Sequence, residues 1–418
     1  MNILIKNVTI LDANSKYHQQ VVDVLVENGS IKEIKKNIDA SVDTYDYAGH
    51  ILSVGFCDLV TQIADPGFEH RDTISTIAKS AIAGGFTAIC AMPNNLPITQ
   101  NKAAIQYIKS NAQNTAIEIY PIAALTQNFD GKTPTEMLDL HHAGAIAFSD
   151  IPNTSKNAGI LSRALLYTKQ FDGLVIEMPF DSDLIADACV HESELSVRLG
   201  LKGIPNIAEY LAVYQAIEIL KYTGGNLHLT GISCKESLDL VAKAKADKLN
   251  ITASCFVHHL VSTENELLNY NSNFKVFPPL RSDADRLALI QGVKDKTIDC
   301  VATQHTPLDT EHKELEFEYA AFGMLGLETA LSLLLTDTDI ELERIVEVLA
   351  TNPRQLIKQS SIIAEQSKAD FVIIDPNKAW TFTEKHIQSL SKNSPYINKQ
   401  LKGSVKAIFS KNNFIIHE

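Results

Sequence analysis

The feature that most constrains this chain is a regular alternation of apolar strand candidates with helical stretches in its middle part. The intervening segments 73–84, 101–112, 207–221 and 235–248 have helical periodicity. Eight buried strands, each followed by a helix or loop, predict an α/β fold, a (β/α)8 TIM barrel. The strand candidates are 54–62, 86–92, 116–124, 144–149, 174–178, 226–232, 250–256 and 298–304.

A doubly wound open sheet is the competing arrangement for such an alternation. Its dinucleotide-binding form carries G-x-G-x-x-G directly after a strand, and none of the strand candidates is followed by that motif. The sequence therefore gives no support to a dinucleotide site.

Both ends of the chain differ from the middle, because they are rich in short β-type runs separated by turn residues. The runs are 3–5, 8–11, 21–26 and 31–34 near the start and 369–376 and 405–409 near the end. We expect residues 1–52 plus 365–418 to form one small β-rich domain, beside a barrel domain of residues 53–364.

Charge and cysteine usage limit the class of protein. The formal net charge of -13 argues against binding to nucleic acid or to an anionic membrane surface. The start shows no signal-peptide pattern, and no apolar run approaches the roughly 18 residues of a membrane span. The six cysteines are scattered and never form C-x-x-C, which indicates reduced, buried thiols in a cytoplasmic protein.

In a TIM barrel the chemistry lies at the carboxyl ends of the strands. In this chain several predicted strands end in distinctive sequence runs. Taken together in chain order, these runs resemble the dihydroorotases of the cyclic amidohydrolase superfamily. The similarity is to the type that often associates with aspartate carbamoyltransferase, and it covers nearly the whole chain. The runs are VGFCDLVTQIADPG, CAMPNNLP, FKVFPPLRSDADRLAL, IDCVATQHTPLD and AAFGMLGLETAL.

The resemblance implies a metal-dependent site. An active member carries His-x-His at the end of the first strand, where side chains at i and i+2 point to one side. A carboxylate or carboxylated lysine ends the fourth strand, and histidines end the fifth and sixth. An aspartate at the end of the eighth binds the metal and moves the proton while water attacks the ring amide.

This sequence departs from that pattern at almost every position. Of the metal positions only Asp150 keeps its side-chain type, and of the substrate positions only Asn94 does. The other metal positions are Val60 and Gln62 at the first strand, Met178 at the fifth, Gly231 at the sixth and Gln304 at the eighth. The other substrate positions are Ala64 in place of an arginine, Phe277 in place of an asparagine and Leu308 in place of a histidine.

The replacing residue types cannot form a zinc centre. Valine and glycine offer no donor atom, and a glutamine amide is a poor ligand and no base near neutral pH. A methionine thioether is neutral and soft, so it does not balance the charge of a divalent ion. We therefore expect no catalytic residue and no metal, although the family implies zinc, and we interpret the ten positions as a vestigial pocket.

The remaining polar residues have less definite interpretations. For Asp150 we favour a polar cluster with Gln62 and Gln304, because a carboxylate in an apolar pocket needs partners. Histidines near the strand ends are interpreted as structural, since buried histidines usually make local hydrogen bonds. They are His228, His258, His259 and His305.

Three functions stay open. The favoured one is a non-catalytic, dihydroorotase-like protein of pyrimidine biosynthesis that acts as a structural or regulatory partner of aspartate carbamoyltransferase, as a homodimer or mixed assembly. The second is a metal-free enzyme or small-molecule binder that reuses the pocket through Asp150, Asn94 and Gln304. The third is an active dihydroorotase with an alternative centre.

Overall fold

The structure, a computed structural model, describes residues 1–153 and 157–417. It begins with short strands, two of which form a tight hairpin through Asn28 and Gly29. Both residues have positive φ, 52° and 78°, as a two-residue hairpin turn of this hand requires. The strands are β1 (Ile3–Ile10), β2 (Val21–Glu27), β3 (Ser30–Lys35), β4 (Asp43–Asp46) and β5 (Ile51–Val54).

Eight parallel strands follow as a barrel, in the order β15-β14-β13-β10-β9-β8-β7-β6. Each lies within one of the eight ranges that the alternation predicted, and the (β/α)8 fold is confirmed. Within the described residues, strands β11 and β12 form a separate two-stranded sheet. The bounds are β6 (Phe56–Thr61), β7 (Phe86–Ala91), β8 (Glu118–Ala123), β9 (Ala147–Phe148), β10 (Leu174–Glu177), β11 (Val190–His191), β12 (Gly203–Ile204), β13 (Asn226–Leu229), β14 (Ile251–Phe256) and β15 (Cys300–Ala302).

Helices occupy the segments between the strands, and the four helical stretches expected from periodicity correspond to the first, second, seventh and eighth of them. Within the part of the chain that the structure describes, no helix is long and apolar enough to cross a membrane. The bounds are α1 (Ile74–Ala83), α2 (Lys102–Ala112), α3 (Met137–Ala143), α4 (Ala158–Thr168), α5 (Ser182–Ile185), α6 (Glu194–Leu199), α7 (Ile207–Thr223), α8 (Lys235–Ala246), α9 (Val257–Val261), α10 (Asp283–Lys294), α11 (Thr310–Lys313), α12 (Ala330–Asp337), α13 (Leu342–Val346) and α14 (Asn352–Leu356).

The chain ends with three strands that complete the sheet begun by the first five. They are β16 (Phe371–Thr381), β17 (Gln400–Ser410) and β18 (Asn413–Ile416). The sheet order is β18-β17-β16-β5-β1-β2-β3, with β4 beside β1. Strands from both ends thus share one sheet, while the division at residues 52 and 365 stays a prediction. All six cysteines are free and buried.

A buried aspartate joins the first barrel strand to the segment after the last. The Asp58 carboxylate accepts hydrogen bonds from the Thr303 amide at 2.6 Å and from the Thr303 hydroxyl at 3.0 Å. The Gln62 backbone N–H also donates to the His305 backbone carbonyl at 2.9 Å. Burial raises the pKa of Asp58, and the hydrogen bonds from Thr61 and Thr303 oppose that shift. These contacts close the barrel where no regular ladder does.

A buried ion pair connects the barrel with the terminal sheet. The Arg354 guanidinium lies 3.1 Å from the Asp370 carboxylate, and both side chains are almost fully buried. Arg354 also donates to the Gly55 carbonyl at 2.9 Å and to the Thr87 hydroxyl at 2.6 Å. A Cβ atom at Gly55 would lie 2.0 Å from that hydroxyl. Only glycine therefore allows this close approach of the three segments.

We expect Arg354→Met to destabilise the protein strongly, because it leaves the Asp370 charge buried and unpaired. Removal of one partner of a buried pair costs about 3–5 kcal/mol. Thermal and urea unfolding measure the loss. The matched control is Lys235→Met, which breaks the exposed pair with Asp239 and should change the stability little, because solvent screens such a pair. Equal melting temperatures for the two variants would contradict the structural role of the buried pair.

Candidate functional site

A cavity of about 680 Å³ opens at the carboxyl ends of the barrel strands. Half of the ten positions predicted from the sequence line it, as residues at the carboxyl ends of barrel strands can do. They are Gln62, Met178, Phe277, Gln304 and Leu308. The other five predicted positions are not among the residues that line this cavity.

The floor below the cavity is a buried apolar cluster. Val60 and Met178 belong to it, each 1% exposed, together with Phe180 and Phe256. Gly231 lies beside the cluster with φ of 72°, and a Cβ atom there would lie 3.0 Å from the Phe256 ring. Three of the expected ligand positions therefore lie in or against close-packed hydrocarbon, which neither ligates nor solvates a cation.

The amide side chains at the mouth are bonded to other groups. The Asn94 amide donates to the Gln62 carbonyl oxygen at 2.9 Å. The Gln304 amide donates to the Phe277 backbone carbonyl at 2.6 Å. Among the described residues the Asn94 side-chain oxygen has no hydrogen-bond partner, although it is buried. Ala64 lies just after β6 with φ of 59° and brings no charge to the site.

The predicted cluster of Asp150 with Gln62 and Gln304 is wrong. The Asp150 carboxylate accepts hydrogen bonds from the Thr126 amide at 2.9 Å and from the Thr126 hydroxyl. Burial raises the pKa of Asp150, and these bonds oppose the shift. The loop after β8 supplies donors directly beside the end of β9. Asp150 is therefore satisfied there and makes no hydrogen bond with either glutamine within the described chain.

Leu308 is positioned by a residue that sequence reasoning missed. The Leu308 amide donates to the Asn393 side-chain oxygen at 3.1 Å, and the Asn393 side-chain amide donates to the Thr306 carbonyl at 2.9 Å. Asn393 is buried and belongs to the segment between β16 and β17. The C-terminal part of the chain thus orders the loop that follows the eighth barrel strand.

Local hydrogen bonds hold His228, His259 and His305, whereas the buried His258 Nε2 has no hydrogen-bond partner among the described residues. The two ring nitrogens of His228 meet the Thr252 and Ser254 hydroxyls at 2.9 Å each. His305 accepts from the Gly326 amide at 3.2 Å. Burial lowers the pKa of His228 to about 3 and that of His305 to about 4, so both are neutral near pH 7. Among the described residues no group of three or more His, Cys, Asp or Glu is arranged to hold a metal ion.

Two buried lysines beside the cavity were also missed. Lys275 donates to the carbonyls of Phe317 and Glu318 at 2.8 Å each, and its ammonium lies 4.8 Å from the Phe322 ring centre. Lys313 donates to the Ala321 and Gly323 carbonyls. Burial, with Lys275 nearby, lowers the pKa of Lys313 to about 7. Lys275 stands in the FKVFPP run quoted above, but nothing in that run reveals the carbonyls that hold it.

Comparison with known proteins gives close relatives in sequence. The family model described as Dihydro-orotase-like matches residues 49–237. A dihydroorotase from Caldanaerobacter subterraneus subsp. tengcongensis is 37% identical over 412 residues, which cover 97% of this chain and 95% of that protein. A dihydroorotase from Elusimicrobium minutum is 36% identical, with coverage of 98% and 96%.

Solved structures of lower identity share the fold. The L-hydantoinase (dihydropyrimidinase) of Arthrobacter aurescens aligns with a TM-score of 0.89 at 22% identity, over 100% of this chain and 96% of the other. A D-hydantoinase (dihydropyrimidinase) from Thermus sp. aligns with a TM-score of 0.85 at 23% identity, over 99% and 95%. At this identity the likeness shows the architecture alone.

We expect Gly231→Ala to destabilise the protein by more than the backbone cost of its positive φ. That cost is about 1–2 kcal/mol, and the new methyl group also presses on the fully buried Phe256 ring. Urea unfolding measures the loss. Gly200→Ala is the matched control, because Gly200 has φ of 70° and open space where its Cβ atom would be. Equal losses of unfolding free energy in the two variants would mean that the apolar cluster below the cavity rearranges to accept the new methyl group.

Proposed function

Because this chain belongs to the dihydroorotase-like family of cyclic amidohydrolases, we propose that it is a non-catalytic member of that family in pyrimidine biosynthesis. Its proposed role is that of a structural or regulatory partner of aspartate carbamoyltransferase, as a homodimer or within a mixed assembly. The proposal combines a retained scaffold, similar to its relatives over 97% of the chain, with a changed set of side chains at the strand ends.

The state of the metal positions carries the proposal. The five replaced positions present hydrocarbon, no side chain, or amides already bonded to other protein groups. Asp150 is the remaining carboxylate, and Thr126 holds it. Zinc sites in proteins use three or more nitrogen, sulfur or carboxylate ligands. The residues present do not fit a zinc centre.

The other groups needed for cyclic amide hydrolysis are also changed. The proton-transfer position is Gln304, whose amide is neutral and donates to the Phe277 carbonyl. The position that binds the substrate carboxylate in the family is Ala64, which has no charge to offer. A chain altered in metal, base and substrate positions together supports a role that depends on its surface rather than on turnover.

An active dihydroorotase is one alternative candidate, and the relatives favour it. Proteins named dihydroorotase are 33–37% identical to this chain over nearly its full length. A metal-free enzyme or small-molecule binder is the other alternative, and the cavity favours it. The cavity is about 680 Å³ and is lined by Lys275, a cation without a carboxylate partner among the described residues. Metal content and turnover separate the active dihydroorotase from the other two candidates.

We expect the purified protein to contain no stoichiometric zinc and not to interconvert carbamoyl-aspartate and dihydroorotate. Hydrolysis near neutral pH needs the nucleophile that zinc generates when it lowers the pKa of bound water to about 7. Elemental analysis and an assay in both directions measure this, with a motif-complete dihydroorotase as positive control. About one zinc per chain together with turnover that a chelator abolishes would establish the active enzyme instead.

The double variant Val60→His with Gln62→His extends the same test. We expect it to stay inactive in added zinc, because Gln304 and Ala64 still supply neither the base nor the substrate-binding cation. Thermal unfolding of the variant, with and without zinc, shows whether it folds and whether it binds the metal. Activity in this variant would contradict the assigned losses at Gln304 and Ala64.

We expect the protein to associate with itself or with the aspartate carbamoyltransferase of the same organism. Light scattering on the chain alone and on the mixture measures the mass, for comparison with 46.0 kDa for one chain. The expected result is a dimer or a stable mixed complex. A single-chain mass both alone and in the mixture would overturn the scaffold role, whatever the result of the metal test.

A further inference from the structure

A second cavity, of about 660 Å³, lies where barrel helices α1 and α12 meet the terminal sheet. Its walls come from these two helices, from strands β16, β17 and β18 and from the turn Glu384–His386. Its size falls within the roughly 300–1,000 Å³ that is usual for small-molecule sites. None of the ten strand-end positions lines it.

The ionisable groups at this cavity are mostly basic, although the protein is acidic overall. Lys79, Lys378 and Lys385 line it, and none of them forms a salt bridge with a described carboxylate. Lysines elsewhere, such as Lys235 and Lys368, do pair with carboxylates. In a chain of net charge -13, three unpaired ammonium groups around one cavity give it a local positive potential.

The other basic side chains near this cavity differ in charge. His386 and His417 also line it, but burial lowers the pKa of His417, which leaves that ring neutral near pH 7, and the His386 Nδ1 accepts a hydrogen bond from the Thr383 amide. Lys406 lies close to Lys378, and the pKa of Lys406 is lowered first by burial and then by the charge of Lys378. The acidic lining residue is Glu328, which is 8% exposed and accepts a hydrogen bond from the Gln388 amide. An anion at the cavity would relieve the repulsion between the ammonium groups.

Another part of the cavity lining is apolar and aromatic. Ile82, Leu331, Val405 and Ile415 contribute hydrocarbon beside the Trp380 ring. The Trp380 indole donates to the Gly403 carbonyl at 2.8 Å, which fixes the ring in place. A fixed aromatic ring beside aliphatic side chains suits a flat heterocycle. The cavity therefore pairs a cationic part with a part that fits a ring.

We propose that this cavity binds a nucleoside diphosphate, with its phosphates at Lys79, Lys378 and Lys385 and its base at Trp380 and the aliphatic wall. A diphosphate carries about as many negative charges as there are unpaired lysines. Inorganic phosphate alone would leave the apolar part unfilled, and a neutral nucleoside would leave the lysines unpaired. The proposal is independent of whether the barrel mouth is catalytic.

The chain contains one tryptophan, so its intrinsic fluorescence reports directly on Trp380. The probes are uridine and adenosine diphosphates, with uridine, adenosine and inorganic pyrophosphate as comparison ligands and calorimetry as the second readout. We expect a saturable fluorescence change with the diphosphates and binding at least about tenfold weaker for nucleoside or pyrophosphate alone.

Two charge variants and one matched control test the assignment of the lysines. Lys378→Gln and Lys385→Gln should each weaken binding about tenfold, the effect of losing one charge-assisted hydrogen bond. Lys36→Gln removes the same charge from an exposed lysine after β3, at the opposite edge of the sheet from β18, and should leave binding unchanged. Lys36 and Lys385 are exposed and Lys378 is half-buried, and thermal unfolding checks that each variant folds.

Several results would overturn the proposal. One is the absence of both a fluorescence change and heat at millimolar diphosphate. Another is pyrophosphate that binds as tightly as the nucleotides, which would remove the role given to Trp380. Equal affinity of the Lys378, Lys385 and Lys36 variants would place the ligand elsewhere on the molecule.

Discussion

The contact on which the rest of the architecture depends is the one between Asp58 and Thr303. A parallel barrel forms only if its first and last strands meet, and here that junction relies on a buried carboxylate rather than on a run of ladder hydrogen bonds. The junction also fixes the segments that follow each strand, with Gln62 on one side and Gln304 on the other. The contacts that close the barrel therefore also set the geometry of the strand-end cavity.

The same region shows what occupies the strand-end positions that the family resemblance assigns to a metal. A metal centre gathers histidines and carboxylates whose mutual repulsion and desolvation the ion offsets. In this chain Val60 and Met178 pack against large rings, and Gln62 and Gln304 bond to neutral partners. Packing and neutral hydrogen bonds thus satisfy these four side chains, and this is the observation on which the proposed non-catalytic role rests.

Much of this fold could be predicted from the sequence, because buried parallel strands are short apolar runs at regular spacing and all eight were located in that way. The pocket positions could be named because the runs that follow those strands resemble the motifs of a known family. The hydrogen-bond partners of individual polar side chains could not be predicted from the sequence. Asp150 was assigned to the glutamines because nothing in the sequence shows that the loop bearing Thr126 lies nearer. Asn393 and Lys275 were missed for the same reason, since their hydrogen bonds join segments far apart in the chain or end on backbone carbonyls.

The composite sheet also has a consequence for the order in which the chain folds during synthesis. Strand β5 pairs with β16, and Ile51 lies opposite Ile374, about 320 residues later. At roughly 5–20 residues per second on the ribosome, the first strands would wait on the order of tens of seconds for that partner. Throughout that time one edge of β5 is unpaired, and such edges invite pairing with other chains. Nascent chains of this protein are therefore expected to need protection at the N-terminal strands until the last fifty residues emerge.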